Sequence, residues 1–193
     1  MQALSPSGLF TGDEIVEGAT VLIDGGRIVN VPPTPSPGAR KLDGLLAPGF
    51  IDIQVNGGGG ALFNDAATVD TLAIVAATHR QFGVTAFMAT LISDDRAKAA
   101  KAMDAIDQAV KIGIEGLLGL HLEGPWLSDP RRGVHPAKFL RPLDAEDLQL
   151  LMRKRSFPLL VTVAPEQIDT ASLKTLAAAG VTISLGHTAA TAE

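Results

Sequence analysis

The chain contains no cysteine. That excludes disulfides and thiolate metal sites, so any metal ion has to be held by histidine, aspartate or glutamate. No apolar run approaches the roughly 20 residues that span a bilayer. The N-terminus also lacks the basic segment followed by an apolar stretch that marks a secretory signal. The expectation is a cytoplasmic protein with no membrane partner. No basic block accompanies the formal net charge of −5, which argues against a nucleic-acid partner. A small anionic molecule stays compatible, because a few local arginines can hold a phosphate on an acidic protein. What is present is apolar. With 46% hydrophobic residues and a mean hydropathy of +0.25, the 193 residues suffice for one well-buried domain, or one domain and part of another.

Two short β-branched runs, Ala19 to Ile23 and Arg27 to Val31, flank Asp24-Gly25-Gly26, which is a hairpin signal. Four prolines in the six residues 32 to 37 then forbid regular structure and predict a linker or long loop. From about residue 45, buried apolar runs alternate with amphipathic or Ala-rich segments. This predicts parallel strands at Phe50–Val55, Thr85–Ile92, Leu117–Leu122, Leu159–Ala164 and Val181–Leu185. Helices are predicted between them at about 68–82, 94–112, 144–154 and 170–179, with Thr68, Ser93, Asp144 and Thr170 as N-caps. Val69, Leu72, Ala76 and Phe82 follow helical spacing, as do Ala99, Met103, Ile106 and Val110. Repeated strand-helix units, with no dinucleotide fingerprint after the first strand, favour a β/α barrel over an open sheet. A closed eight-stranded barrel takes about 250 residues, however, so either the sheet is open or the chain is the front part of a longer protein.

The stretch from His121 to His135 delivers Glu123 from an apolar run into a Gly-Pro turn, and Leu185-Gly186-His187-Thr188 does the same with an imidazole. Two strand ends supplying a carboxylate and a histidine outline a metal-dependent hydrolase. A buried carboxylate is costly unless paired or metal-bound, which favours Glu123 as a ligand over a salt-bridged core acid. A lone histidine beside a strand is usually structural, but the shared rim position raises His187 to a candidate ligand. Asp52, Gln54 and Asn56 alternate along the first strand and are predicted to share its inward face, ahead of the glycine run 57–60. They form either a polar strand end running into a flexible turn or a pocket wall facing metal, water or substrate. His121 is either a hydrogen-bonded core histidine or a partner of a metal ligand, and His79 is assigned to packing or surface. The loop from Trp126 to Arg141 carries Arg131, Arg132, His135, Lys138 and Arg141. It is either a solvated basic loop or a substrate-capturing one, with His135 donating to a polar substrate group. Glu166 is a further rim acid whose role stays open.

Several segments together closely resemble the N-acetylglucosamine-6-phosphate deacetylases of the amidohydrolase superfamily. They are Ala47-Pro48-Gly49-Phe50-Ile51-Asp52, the Gln54-x-Asn56 strand end, Leu120-His121-Leu122-Glu123-Gly124-Pro125-Trp126, Gly133-x-His135, Val163-Ala164-Pro165-Glu166 and Leu185-Gly186-His187-Thr188. The resemblance implies an α/β fold, a distorted (β/α)8 TIM-like barrel carrying a small β-sandwich, with residues 1–47 part of the sandwich and 48–193 the first part of the barrel. It implies a homodimer that hydrolyses the acetamide of a small sugar phosphate, one divalent metal ion per subunit, zinc or iron, held by Glu123 and His187, and a sugar contact from His135. Gln54 and Asn56 stand where many superfamily members have His-x-His. Neutral amides are poor ligands for such metals, so they are expected to line the pocket and hold water without building a second metal site. No catalytic residue is expected within this chain, since the aspartate that moves the proton lies beyond residue 193 in the family. The 193 residues alone are therefore expected to be inactive. Another cyclic-amide amidohydrolase and a catalytically silent sugar-phosphate-binding or assembly fragment are the competing readings.

Overall fold

The computed structural model describes residues 1–191 and divides after Gly49 into two compact units. The first contains β1 (Gln2–Phe10), β2 (Ile15–Glu17), β3 (Val21–Asp24), β4 (Arg27–Asn30) and β5 (Arg40–Leu46). Its strands run in the order β2-β1-β3-β4 as antiparallel neighbours, with β5 joining β1 in parallel. Gly25 and Gly26 turn β3 into β4 with φ of 54° and 75°, left-handed at both positions, as a tight hairpin requires. The proline segment is pinned. Buried Thr20 donates its hydroxyl to the Thr34 carbonyl at 3.1 Å and accepts the Ser36 N–H at 2.9 Å. Strand β1 escapes a pattern-based reading because Pro6 interrupts it at the irregularity where β1 and β5 change register. The described residues of this unit form one sheet around Leu9, Ala19 and Val21.

The second unit contains β6 (Phe50–Val55), β7 (Gly57–Gly58), β8 (Ala61–Leu62), α1 (Val69–Arg80), β9 (Val84–Ile92), α2 (Arg96–Ile112), β10 (Leu117–Glu123), α3 (Ala145–Leu151), β11 (Leu159–Val163), α4 (Thr170–Ala178) and β12 (Val181–Leu185). Its parallel sheet has the order β12-β11-β10-β9-β6. Each crossover steps the same way. A doubly wound sheet reverses and opens its ligand crevice at the reversal; a sequential sheet curls like a barrel wall and gathers its functional groups at the C-terminal strand ends. Leu72, Ile106, Leu120, Leu122, Val161 and Leu176 are fully or almost fully buried between helices and strands. No helix among the described residues is long and apolar enough to cross a membrane.

Two expected helix starts shift. The Asp95 carboxylate caps α2 by accepting the Lys98 N–H at 2.7 Å, and Asp169 caps α4 by accepting the Ser172 N–H at 2.8 Å. A carboxylate there satisfies a free N–H and complements the helix dipole, which a neutral hydroxyl does less well. Helix α1 ends at Arg80, so Phe82 lies past its last turn and is exposed, not part of the buried stripe.

Candidate metal centre at the strand ends

Glu123 is the last residue of β10, and the sheet on both sides buries it. Its Oε1 lies 3.0 Å from Nε2 of His187, two residues beyond β12. The other ring nitrogen, Nδ1, is 2.9 Å from the Arg131 carbonyl, which can only accept, so Nδ1 carries the proton. In the neutral ring Nε2 is then a bare lone pair facing a carboxylate oxygen. Two acceptors at that distance require a cation between them, either a second ring proton or a metal ion. Zinc bound at about 2.0–2.2 Å by tetrahedral ligands sets them roughly 3.4 Å apart, so the pair fits a metal with little movement. A carbonyl on the far nitrogen of a histidine ligand is the usual partner that fixes its tautomer.

His135, buried in the loop after β10, completes a cluster with Glu123 and His187 whose candidate ligand atoms all lie within 4.8 Å of one another. Its Nε2 is 3.8 Å from Glu123 Oε1, and its ring meets that of His187 edge-on at 4.7 Å between centroids. The Ser93 N–H donates to His135 Nδ1 at 3.3 Å, with the Ser93 hydroxyl at 2.7 Å. A backbone donor on Nδ1 leaves the proton on Nε2, so this ring presents an N–H to the site where His187 presents a lone pair. Ser93, at the end of β9, thus has a task other than helix capping. Gly124 makes room for it, since a Cβ there would stand 2.3 Å from the Ser93 hydroxyl. Beside these two imidazoles, His135 foremost, the Glu123 carboxyl is held down to about 2, although burial alone would raise it.

Gln54 reaches the same cluster, donating from Nε2 to Glu123 Oε2 at 2.9 Å. Asn56 keeps a buried Nδ2 without a hydrogen-bond partner. Asp52 does not join Gln54 there. Strand β6 carries an extra residue against β9 between Asp52 and Val55, and such a bulge breaks the alternation that would align all three. The Asp52 carboxylate instead accepts the Gln54 N–H at 3.0 Å. His121 lies beneath Glu123. Its Nδ1 donates to the Ile53 carbonyl in the bulge at 3.1 Å and its Nε2 accepts from the Thr162 hydroxyl at 2.8 Å. Burial pushes its pKa down, so it stays neutral and ties β6, β10 and β11 together. The glycine run makes a tight β7/β8 turn whose Gly57 carbonyl takes a hydrogen bond from His79 at 2.9 Å.

The loop that carries His135 is anchored by a residue with no signature in the sequence. Fully buried Asp147, in the first turn of α3, accepts from Trp126 Nε1 at 2.8 Å, Arg96 Nε at 2.8 Å and Arg141 NH2 at 2.7 Å. Trp126 and Arg141 bracket the loop, so one carboxylate fixes both its ends. Arg132 donates to the His135 carbonyl at 3.1 Å, which makes it part of the loop's own frame. Glu166, on the 3-10 turn after β11, is outside the Glu123 cluster. Its two oxygens accept the Thr188 hydroxyl at 2.5 Å and the Ala189 N–H at 2.8 Å.

No family model matches the chain. Among curated proteins, it is 43% identical over 157 residues to the N-acetylgalactosamine-6-phosphate deacetylase of Shewanella sp. (strain ANA-3), covering 81% of this chain and 40% of the relative. It is 31% identical over 190 residues to the N-acetylglucosamine-6-phosphate deacetylase of Haemophilus influenzae, covering 96% of this chain and 50% of the relative. Among solved structures, the N-acetyl-D-glucosamine-6-phosphate deacetylase of Mycobacterium smegmatis superposes with a TM-score of 0.87 at 32% identity, over 98% of this chain and 55% of that one. The chain spans about half the length of the curated relatives it matches.

Proposed function

We propose, for a chain that matches the N-terminal half of the N-acetylglucosamine-6-phosphate deacetylases in sequence and fold, that the complete protein hydrolyses the acetamide of an N-acetylhexosamine 6-phosphate to acetate and the free amino sugar phosphate. The barrel wall described here is read as the first part of a (β/α)8 barrel in a cytoplasmic homodimer. Glu123 and His187 hold one divalent ion, zinc or iron. When bound, such an ion supplies a water of lowered pKa and polarises the amide carbonyl.

The observation that carries this reading is the pair of facing acceptors, Glu123 Oε1 and His187 Nε2, 3.0 Å apart with the far nitrogen of His187 already committed to a carbonyl. The chain's other residues take roles that follow from their donors and acceptors. Gln54 occupies the second oxygen of Glu123, leaving Oε1 as the one offered to a cation. His135 offers Nε2–H to a sugar hydroxyl or the amide oxygen, and Ser93 keeps the proton on that nitrogen. The free N–H of Asn56 is available to a water or substrate acceptor. With amides at positions 54 and 56, one tight ion per subunit is proposed.

The epimer is assigned to glucosamine on the shared name of the Haemophilus and Mycobacterium proteins, with galactosamine as the second reading on the 43% identity of the Shewanella relative. Acetate release from both 6-phosphates by the metal-stripped complete protein, before and after zinc or ferrous iron is restored, tests the reading. Metal-dependent release from one epimer is expected. Release that ignores chelation, or none with the metal restored, overturns it.

A further inference from the structure

His187 has a φ of 50°, in the left-handed region that few residues with a Cβ adopt, asparagine, aspartate and histidine more readily than the rest. Such a conformation persists only where its surroundings over-determine it. The ladder of β12 on β11 finishes with the Gly186 N–H on the Val163 carbonyl at 3.2 Å, one residue short of His187. Two contacts from the loop after β10 reach His187 itself. The Ser128 N–H donates to its carbonyl at 3.0 Å, and the Arg131 carbonyl accepts from its ring. The residues that follow His187 are held from a different element. Glu166 takes the Thr188 hydroxyl on one oxygen and the Ala189 N–H on the other, and Thr188 Oγ1 accepts the Ala190 N–H at 2.9 Å. An exposed carboxylate with nearby solvent spends both oxygens on two consecutive residues of a strand end, and neither on a cation.

We propose that Glu166 is a positioning residue: by bracketing Thr188 and Ala189 it holds His187 in the left-handed conformation from which Nδ1 meets the Arg131 carbonyl and Nε2 meets Glu123. The inference rests on the reading of His187 as a ligand only for its effect on metal; the backbone conformation and hydrogen bonds it explains stand apart from that reading. The bracket needs an acceptor for Ala189 and any hydrogen-bonding group for Thr188, whose hydroxyl can donate or accept. Glutamine supplies both, whereas alanine supplies neither.

The test uses the complete protein, metal-stripped and labelled with 15N-histidine, with His187→Asn identifying the His187 signals. Wild type and Glu166→Gln should show His187 in a single tautomer protonated on Nδ1, while Glu166→Ala should show exchange between tautomers. In zinc titrations Glu166→Ala should bind about 10–100-fold more weakly, the usual effect of removing an outer partner of a metal ligand, and Glu166→Gln should stay close to wild type. An alanine variant with the wild-type His187 spectrum and zinc affinity overturns the proposal, as does an equal loss in both variants. Absence of zinc binding by wild type sinks the metal reading instead, and the ring tautomers of the metal-free variants still decide the role of Glu166.

Discussion

In β10 every residue from Gly119 to Glu123 is buried, with β9 on one side and β11 on the other, and Glu123 is itself the last residue of the strand, whereas His187 stands two residues past the end of β12. Each strand delivers one member of the Glu123–His187 pair. The acid is held by the sheet: its strand is central and the chain around it is apolar. The histidine is held by polar contacts, from Ser128, Arg131 and Glu166, that act after its strand has ended. The difference separates two ways of fixing a side chain to a few tenths of an ångström, close packing and hydrogen bonding from neighbouring loops. Damage to the first should appear as lost stability, and damage to the second as lost geometry in a folded protein.

The largest effect expected from breaking this contrast is in the packing. Leu122→Ala in β10 should cost about 2–5 kcal/mol in urea denaturation of the complete protein, the range for truncating a buried leucine, whereas Thr188→Ala, which removes only hydrogen bonds beside His187, should cost about 1 kcal/mol. Equal costs in the two variants would remove the distinction.

Asp147 comes next, because it joins the two modes, anchoring by hydrogen bonds a loop that hangs from the buried strand. Asp147→Ala strips a buried carboxylate from two arginines and a tryptophan, and with the arginines partly exposed the expected loss is about 2–4 kcal/mol. Burial favours the neutral acid here, but donation from Arg96, Arg141 and Trp126 overcomes it and holds the carboxyl below the ordinary aspartate range. The sign follows from that lowered value. Its stabilisation is fully present above the unfolded pKa of about 3.9 and is lost as the pH falls through the lower folded value. The stability gap between wild type and Asp147→Asn should therefore be constant from about pH 5 to 8 and shrink only below about pH 4; a gap that closes near neutrality points to another group.

The smallest effect belongs to Ser93→Ala. It removes a hydroxyl next to His135 Nδ1 but leaves the backbone N–H, so stability should change by about 1 kcal/mol and zinc affinity not at all, with kcat falling while the protein stays folded. Loss of zinc in this variant would place His135 among the ligands.

The five parallel strands were legible because each is an apolar run bounded by a helical period, and Glu123 and His187 because both sit where such runs stop. Features that depend on residues far apart in sequence were not. Asp147 lies among Asp144 and Glu146 and looks like any acidic helix start; only Arg96, 51 positions earlier, and Trp126 show why it is buried. Alternation aligned Asp52 with Gln54 and Asn56, and the bulge that sends Asp52 back to its own strand leaves no trace in the pattern. Glu166 was visible as a rim acid, but its bracket on Thr188 and Ala189 exists only once β11 and β12 are side by side.

Glu123 and His187 are proposed as the ligands that this chain offers to one divalent ion, with His135 facing the substrate. Metal content and zinc affinity of the complete protein and its Glu123→Gln, His187→Asn and His135→Asn variants test it most directly. One tightly held ion per subunit is expected, lost in the first two variants and kept in the third. Retention of the ion without Glu123 or His187, or its loss without His135, would contradict it.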